Sequence, residues 1–152
     1  MKKKDLVALT HALSGAAALI ASIAAKGQIG IPEQPIKAIG YAVFALGCLL
    51  FVYSLLFLRR AFMGNVDPVS EKLVTGGPYR VVRHPIYLAM FMMCLSLAVG
   101  LRSWLGIALT IVAFFPSAVY RARLEEAALA DKFGGEWKVY RDHSHFIIPF
   151  FF

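Results

Sequence analysis

Charged residues are scarce in this 152-residue sequence: only 16% are Asp, Glu, Lys or Arg, whereas 59% are hydrophobic. A soluble domain of this size has about a quarter charged residues and about half apolar ones. The shortage of charge therefore excludes an ordinary soluble domain and predicts an integral membrane protein with a single domain.

Several familiar kinds of site are also missing. The only two cysteines, Cys48 and Cys94, fall in separate apolar stretches and cannot form a disulfide framework or a Cys-x-x-Cys metal motif. No serine has the Gly-x-Ser-x-Gly setting of a hydrolase. The histidines at positions 84, 143 and 145 could meet Glu126, but none are paired at i, i+4, so we expect no metal.

The apolar residues that are present fall into four stretches, each in or near the range of about 17–25 residues that crosses a bilayer as a helix. They cover residues 6–25, 36–58, 85–101 and 104–120. Aromatic residues after position 132, such as Trp137 and Tyr140, suit the headgroup level. The predicted fold is an all-α membrane bundle with four transmembrane helices and a C-terminal interfacial helix.

Basic residues are distributed unevenly around these stretches. If the N-terminus is cytoplasmic, thirteen of the sixteen Lys and Arg residues lie inside, and only Lys26, Lys37 and Arg102 lie outside. The positive-inside rule therefore predicts cytoplasmic N- and C-termini, with the loop 61–84 and the segment 121–152 on the cytoplasmic face. Because the charges flank spans, we expect contact with anionic lipid headgroups and no nucleic-acid partner.

The first stretch looks suited to packing. Ser14, Gly15, Ala18 and Ser22 are small, which lets helices approach closely in lipid. His11, near the cytoplasmic end, is interpreted as a snorkelling or hydrogen-bonded residue rather than a catalytic one.

The turn at residues 100–103 is short, so the third and fourth stretches are predicted to form a membrane hairpin. This hairpin would return Arg121 and the pair Glu125-Glu126 to the face where Arg83-His84-Pro85 lies. The fourth helix should kink at Pro116 and stop at Gly134-Gly135.

Two interpretations of these polar groups remain open. Pro85 suits the first turn of a helix, which would place His84 at a helix N-terminus that favours an anionic ligand group. The combination of basic, aromatic and acidic residues then indicates one site at the bilayer edge. The alternative is a solvated basic collar with incidental acids.

Two segments resemble the isoprenylcysteine carboxyl methyltransferase family. One runs from Leu73 to Tyr87 and includes Gly76-Gly77-Pro78; the other runs from Glu126 to Tyr140 and is followed by Ile148-Pro149. The resemblance covers roughly residues 62–150 and implies a helical membrane enzyme that uses S-adenosylmethionine.

The resemblance also implies roles for single residues. Eight positions match places that contact the cofactor in the family: Leu73, Val74, Tyr79, His84, Pro85, Ile86, Tyr87 and Glu126. Arg121 matches the place that holds the substrate. A carboxylate acceptor needs no general base, whereas an amine must lose a proton, for which Glu125 or Tyr87 is the candidate. We therefore predict Arg121 and Glu125 as the catalytic residues.

The function favoured by the sequence is carboxyl O-methylation of an isoprenylcysteine-type lipidic acceptor at the membrane surface. Phospholipid or small-molecule N- or S-methyltransferases share this C-terminal architecture and remain alternatives. A nicotinamide-dependent reductase is more distant. A non-enzymatic scaffold that binds anionic lipid is the alternative of another class. The identity of the acceptor and the oligomeric state are left open.

Overall fold

The described part of the chain is helical. The computed structural model describes residues 3–30, 32–58 and 72–149. Within these ranges no β-strand forms, and a single parallel bridge joins Val82 to His145. The elements are α1 (Lys3–Ala24), α2 (Glu33–Leu58), a 3₁₀ turn (Gly77–Arg80), α3 (Pro85–Gly100), α4 (Trp104–Leu109), a π-helix (Thr110–Phe114), α5 (Phe115–Phe133) and α6 (Gly135–Asp142).

Three helices of the described ranges are long and apolar enough to cross a membrane: Asp5–Ala24, Glu33–Leu58 and the continuous helix Trp104–Phe133. The 16 residues of α3 are apolar but span only about 24 Å, less than the hydrocarbon core of about 30 Å. The prediction of four spans is thus confirmed for three helices. Helix α6 forms after the predicted stop, and its interfacial position stays a prediction.

The second helix begins earlier than expected. It starts at Glu33, not at residue 36, because Pro35 sits in the first turn, where a missing N–H is tolerated. Glu33 lies at the positive end of the helix dipole and pairs with Lys37 one turn later.

Small residues set the helix packing, as the sequence predicts. Ala18 and Ser22 of α1 are fully buried, and Ser22 packs directly on Gly106 of α4. Between α2 and α3, a Cβ on Gly40 would lie 3.0 Å from Cα of Gly100. Without side chains at such points, the backbones approach closely enough for van der Waals packing to hold the helices together in lipid.

The irregularity expected at Pro116 takes the form of a π turn. Over Thr110–Phe114 the helix widens, and the N–H of Phe115 bonds to the carbonyl of Thr110, five residues back. Pro116 follows immediately and has no N–H for a regular helical bond. The helix then continues past Glu126 to Phe133, and Gly134 with φ +50° ends it, as predicted.

The hairpin of α3 and α4 positions the site. Ser103 caps α4 by accepting a hydrogen bond from the N–H of Gly106 at 3.0 Å. The reversal at residues 101–103 is tight, so the N-terminal end of α3 and the middle of α5 lie side by side. The two polar clusters that the sequence separates by more than 30 positions therefore come together.

Candidate functional site

His84 stands directly before α3 and is buried, with 6% of its surface exposed. Pro85 and Ile86 form the first turn of the helix and are buried too. Proline is pre-organised for this position, so the sequence itself fixes where the helix starts. The predicted placement of His84 at a helix N-terminus agrees with the structure.

Glu126 is bound by two residues from the other side of the hairpin. Nε of Arg83 donates to its Oε1 at 2.7 Å, and Nε2 of His84 lies 3.4 Å from the same oxygen. This separation is that of an ion pair rather than a well-formed hydrogen bond, and within the described ranges the buried Nε2 has no other polar partner. Position 84 and position 126 thus lie side by side, as the hairpin argument requires.

Glu125 precedes Glu126 on α5 and belongs to a second group of hydrogen-bonded side chains. Its Oε1 accepts a hydrogen bond from the Tyr87 hydroxyl at 2.5 Å, and its Oε2 lies 3.7 Å from Nδ1 of His84. Nε of Arg121 contacts both the Tyr87 hydroxyl at 2.7 Å and Oε1 of Glu125 at 3.3 Å. His84 therefore stands between the two carboxylates and joins the groups.

The charges of this cluster balance. Arg83 neutralises Glu126, and Arg121 neutralises Glu125, while all four side chains are largely withdrawn from solvent. An unpaired charge in such a place costs several kcal/mol, so pairing is what allows ionic groups to remain there. A solvated basic collar would leave these side chains exposed, and the geometry contradicts that interpretation.

A segment near the C-terminus, which we name the C-terminal strap (residues 144–147), lies along the residues before α3. Its backbone pairs in parallel with residues 81–84: the N–H of His145 bonds to Val81, and the N–H groups of Arg83 and His84 bond to His145 and Phe146 at 2.8 and 3.1 Å. The strap thereby fixes the backbone that carries Arg83 and His84.

Side chains reinforce the strap. The guanidinium of Arg83 donates to the carbonyls of Ser144 and of Arg141, the latter at 3.1 Å. The Phe146 ring packs edge-to-face on His84 at 5.2 Å and lies 4.5 Å below the guanidinium of Arg123. The sequence places Arg83 in the polar cluster without giving it a role, and it does not assign the strap to the site. The pattern that could have indicated the strap is the pair of apolar residues at 146–147, which directly follows a polar run and is buried.

Tyr79 and Tyr140 form the outer edge of the site. Tyr79, in the 3₁₀ turn, is buried, and its carbonyl accepts a hydrogen bond from the Tyr140 hydroxyl at 2.7 Å. Burial raises the pKa of both phenols well above the ordinary value. Both therefore stay protonated at neutral pH, and the hydroxyl of Tyr140 keeps its donor role.

We expect Tyr140→Phe to lower the free energy of unfolding by about 1 kcal/mol, because one hydrogen bond is lost. Because the folded state raises the pKa, the contribution of this phenol is constant below about pH 10 and declines above it. Thermal unfolding in detergent from pH 7 to 11 measures both effects, with Tyr120→Phe on the exposed face of α5 as the control. Equal stability of wild type and Tyr140→Phe at pH 7 would contradict the prediction.

The remaining predicted cofactor residues flank the cluster. Leu73 and Val74 are half-buried in the irregular segment before the 3₁₀ turn. Gly77 has φ +57°, and a Cβ there would lie 2.6 Å from the Phe57 ring of α2. Glycine is thus needed at this position both for the positive φ and for packing against α2. Positions 61–71 of the predicted cofactor loop lie outside the described residues.

Comparison with known proteins identifies the family. A family model described as phospholipid methyltransferase matches residues 36–136, two thirds of the chain. A search of curated proteins found no match. The matched segment contains α3, the hairpin and every member of the His84–Glu126 cluster, whereas α1 and the strap lie outside it. The resemblance stated from the sequence is confirmed, and this integral membrane protein belongs to the family of membrane isoprenylcysteine and phospholipid methyltransferases.

Proposed function

We propose that this protein transfers a methyl group from S-adenosylmethionine to a lipidic acceptor at the membrane surface, by carboxyl O-methylation of an isoprenylcysteine-type substrate. The observation that carries the proposal is the joined cluster in which His84 lies between Glu125 and Glu126. The cluster lies beside the start of α3, at the predicted cytoplasmic edge of the bilayer, where we expect a polar cofactor to enter from the aqueous side and an apolar acceptor from the lipid. Family membership independently supports methyl transfer.

The described residues fit the cofactor. When bound, S-adenosylmethionine would supply an electrophilic sulfonium methyl group: an O–C bond forms to an acceptor carboxylate as the C–S bond breaks, and S-adenosylhomocysteine is the leaving group. Carboxylates such as Glu126 suit the cationic groups of this molecule. The N-terminus of α3, which directly follows His84, suits its carboxylate. Leu73, Val74, Tyr79, Pro85, Ile86 and Tyr87 complete the proposed cofactor set.

Arg121 is the residue that we assign to the acceptor carboxylate. It is buried, with 9% of its surface exposed, and its orientation is fixed by Tyr87 and Glu125. A guanidinium matches the geometry of a carboxylate, so it can orient an oxygen for in-line attack. The carboxylate is already ionised, and this reaction therefore asks no residue to remove a proton.

N-methylation of an amino-phospholipid is the second candidate. It is favoured by the description of the matching family and by the 2.5 Å hydrogen bond between Tyr87 and Glu125. An amine must lose a proton when it is methylated, and Glu125 would receive that proton. Arg121 would then hold Glu125 in place instead of binding the substrate.

Calorimetric titration of the purified full-length protein with S-adenosylhomocysteine tests the cofactor assignment. We expect saturable binding of one equivalent and no binding of NADPH. A non-enzymatic scaffold would bind neither molecule, and a reductase would bind NADPH, so either result would contradict the proposal.

Transfer of labelled methyl groups then identifies the acceptor. Vesicles containing an N-acetylated S-prenylcysteine or phosphatidylethanolamine are incubated with the protein, and the products are treated with base. A methyl ester releases volatile methanol, whereas a methylated amine retains its label. We expect base-labile label on the prenylcysteine; base-stable label on the phospholipid alone would establish the second candidate. Assays on sealed vesicles of one orientation would test the proposed cytoplasmic location of the site.

A further inference from the structure

His11 is a polar residue of α1 that the proposed reaction does not use. It is buried, with 5% of its surface exposed, and its Nδ1 lies 3.0 Å from Oγ of Ser117 on α5. Burial excludes the snorkelling interpretation and favours the hydrogen-bonded one. In the part of the chain that the structure describes, Nε2 of His11 is also buried and has no hydrogen-bond partner. A buried polar atom of this kind is unfavourable unless a ligand or water satisfies it.

The hydrogen bonds around His11 determine what kind of partner fits. We assign the proton of His11 to Nδ1, because the Ser117 hydroxyl donates to the carbonyl of Phe114 at 2.7 Å and its oxygen can then accept from Nδ1. Ser14 lies 2.9 Å from the same oxygen and contacts the carbonyl of His11. A neutral imidazole with its proton on Nδ1 presents a lone pair at Nε2. The missing partner is therefore a hydrogen-bond donor.

His11 lies next to the proposed site. Its ring packs edge-to-face on Tyr87 with 5.4 Å between centroids, and the hydroxyl of Tyr87 contacts both Arg121 and Glu125. On its other side lies the buried ring of Phe114, at 4.9 Å. Phe114 is the last residue of the π-helix, and π turns are frequent at functional sites. The π turn thus directly precedes the part of α5 that carries Ser117 and contacts His11.

We propose that His11 is an acceptor-binding residue, whose Nε2 accepts a hydrogen bond from an N–H group on the polar head of the methyl acceptor. This inference rests on the proposed function. Both acceptor classes considered above carry N–H at or close to the methylated atom: the amide of an acylated prenylcysteine, and the amine of an amino-phospholipid, which keeps N–H groups after it loses one proton. His11 also lies outside the segment that the family model matches, which suits a residue that serves this chain's own acceptor instead of the shared cofactor.

Two substitutions separate this role from a structural one. In His11→Asn, the amide nitrogen stands where Nδ1 stands and keeps the bond to Ser117, but nothing replaces Nε2. In His11→Gln, the longer side chain brings an amide oxygen toward the place of Nε2. We expect His11→Asn to raise the KM for the acceptor about tenfold, and His11→Gln to recover most of that loss. His143→Asn, the same change at an exposed histidine, is the control.

The wild-type protein provides a measurement that does not depend on variants. N-acetylated S-prenylcysteine is compared with its N-methylated amide, which lacks the N–H; phosphatidylethanolamine vesicles form the second arm. We expect the N-methylated amide to bind about tenfold more weakly to wild type, and the two analogues to bind alike to His11→Asn. Loss of phosphatidylethanolamine binding in His11→Asn instead would assign the N–H group to the phospholipid.

The outcomes distinguish this inference from the function on which it rests. An acceptor KM unchanged in His11→Asn, or equal affinity of wild type for both prenylcysteine analogues, overturns the role of His11 while methyl transfer stands. If the wild type binds neither acceptor, the inference and the proposed acceptor class fail together, although S-adenosylhomocysteine binding would still support the cofactor assignment. A fall in melting temperature in both variants with the acceptor KM unchanged would assign His11 to packing alone.

Discussion

Glu126→Gln is expected to weaken the binding of S-adenosylhomocysteine by about 10- to 100-fold, because one charge-assisted hydrogen bond to the cofactor's ammonium group is lost. Glutamine has the shape of glutamate and can still accept from Arg83, which retains its bonds to the carbonyls of Ser144 and Arg141. The C-terminal strap should therefore remain in place. The substitution leaves Arg83 without its counter-ion but preserves its hydrogen bonds, so we expect a smaller loss of stability than for truncation to alanine.

Calorimetry on wild type and Glu126→Gln measures the effect, and thermal unfolding of the same samples shows whether the fold persists. Asp131→Asn is the matched control, because it removes an exposed carboxylate from the same helix. Equal affinity of Glu126→Gln and wild type for S-adenosylhomocysteine would remove Glu126 from the cofactor site. Glu126→Ala is a weaker test of cofactor binding, because it removes the whole partner of the buried Arg83. Breaking a buried ion pair in this way costs about 3–5 kcal/mol of stability.

Arg121→Lys is expected to lower kcat/KM for the acceptor by about 100-fold while S-adenosylhomocysteine binds normally. The charge that neutralises Glu125 is kept, so we expect a folded protein. Nε of Arg121 contacts the Tyr87 hydroxyl and Glu125 at once, and a lysine ammonium lacks the planar fork that fixes this orientation. Misplacement of a positioning group by about 1 Å can cost about 100-fold in rate.

Arg102→Lys is the control for this experiment, since Arg102 lies at the opposite end of the hairpin and pairs with Glu33. Steady-state kinetics with the acceptor varied, together with calorimetry, separates catalysis from cofactor binding. Full activity of Arg121→Lys would show that a positive charge at this position is sufficient, and it would remove the guanidinium from the proposed orientation of the acceptor. A parallel loss of cofactor affinity would place Arg121 in the cofactor site instead.

The strongest sequence signals came from local chemistry. His84-Pro85 marks a helix start, Gly134 marks a helix end, and both lie where the sequence puts them. Small residues of α1 also predicted its close packing. These predictions succeed because they depend on backbone dihedrals and side-chain size, which each segment carries by itself.

Other features depended on distant partners and were missed. The strap contacts Arg83 only because residues 144–147 pair with the backbone at 81–84. Neither segment contains a sequence pattern that predicts this pairing. Likewise, the histidine at position 11 meets Tyr87 only after α1 packs on the π turn. The prediction that residues 85–101 span the membrane is a different case: it is not confirmed, because the 16 residues of α3 fall short of the bilayer thickness.

The sequence by itself determined that this is a helical membrane protein of a methyltransferase family, because apolar length and two local motifs suffice for that. It also placed His84 and Glu126 at the same end of a hairpin, since a short turn between two apolar helices makes them antiparallel and brings their far ends together. Only the tertiary structure decided which groups pair: Arg83 with Glu126, Tyr87 and Arg121 with Glu125, and α1 with the site. Pairing of buried polar groups depends on distances of a few ångströms between separate helices, and periodicity along one chain does not encode them.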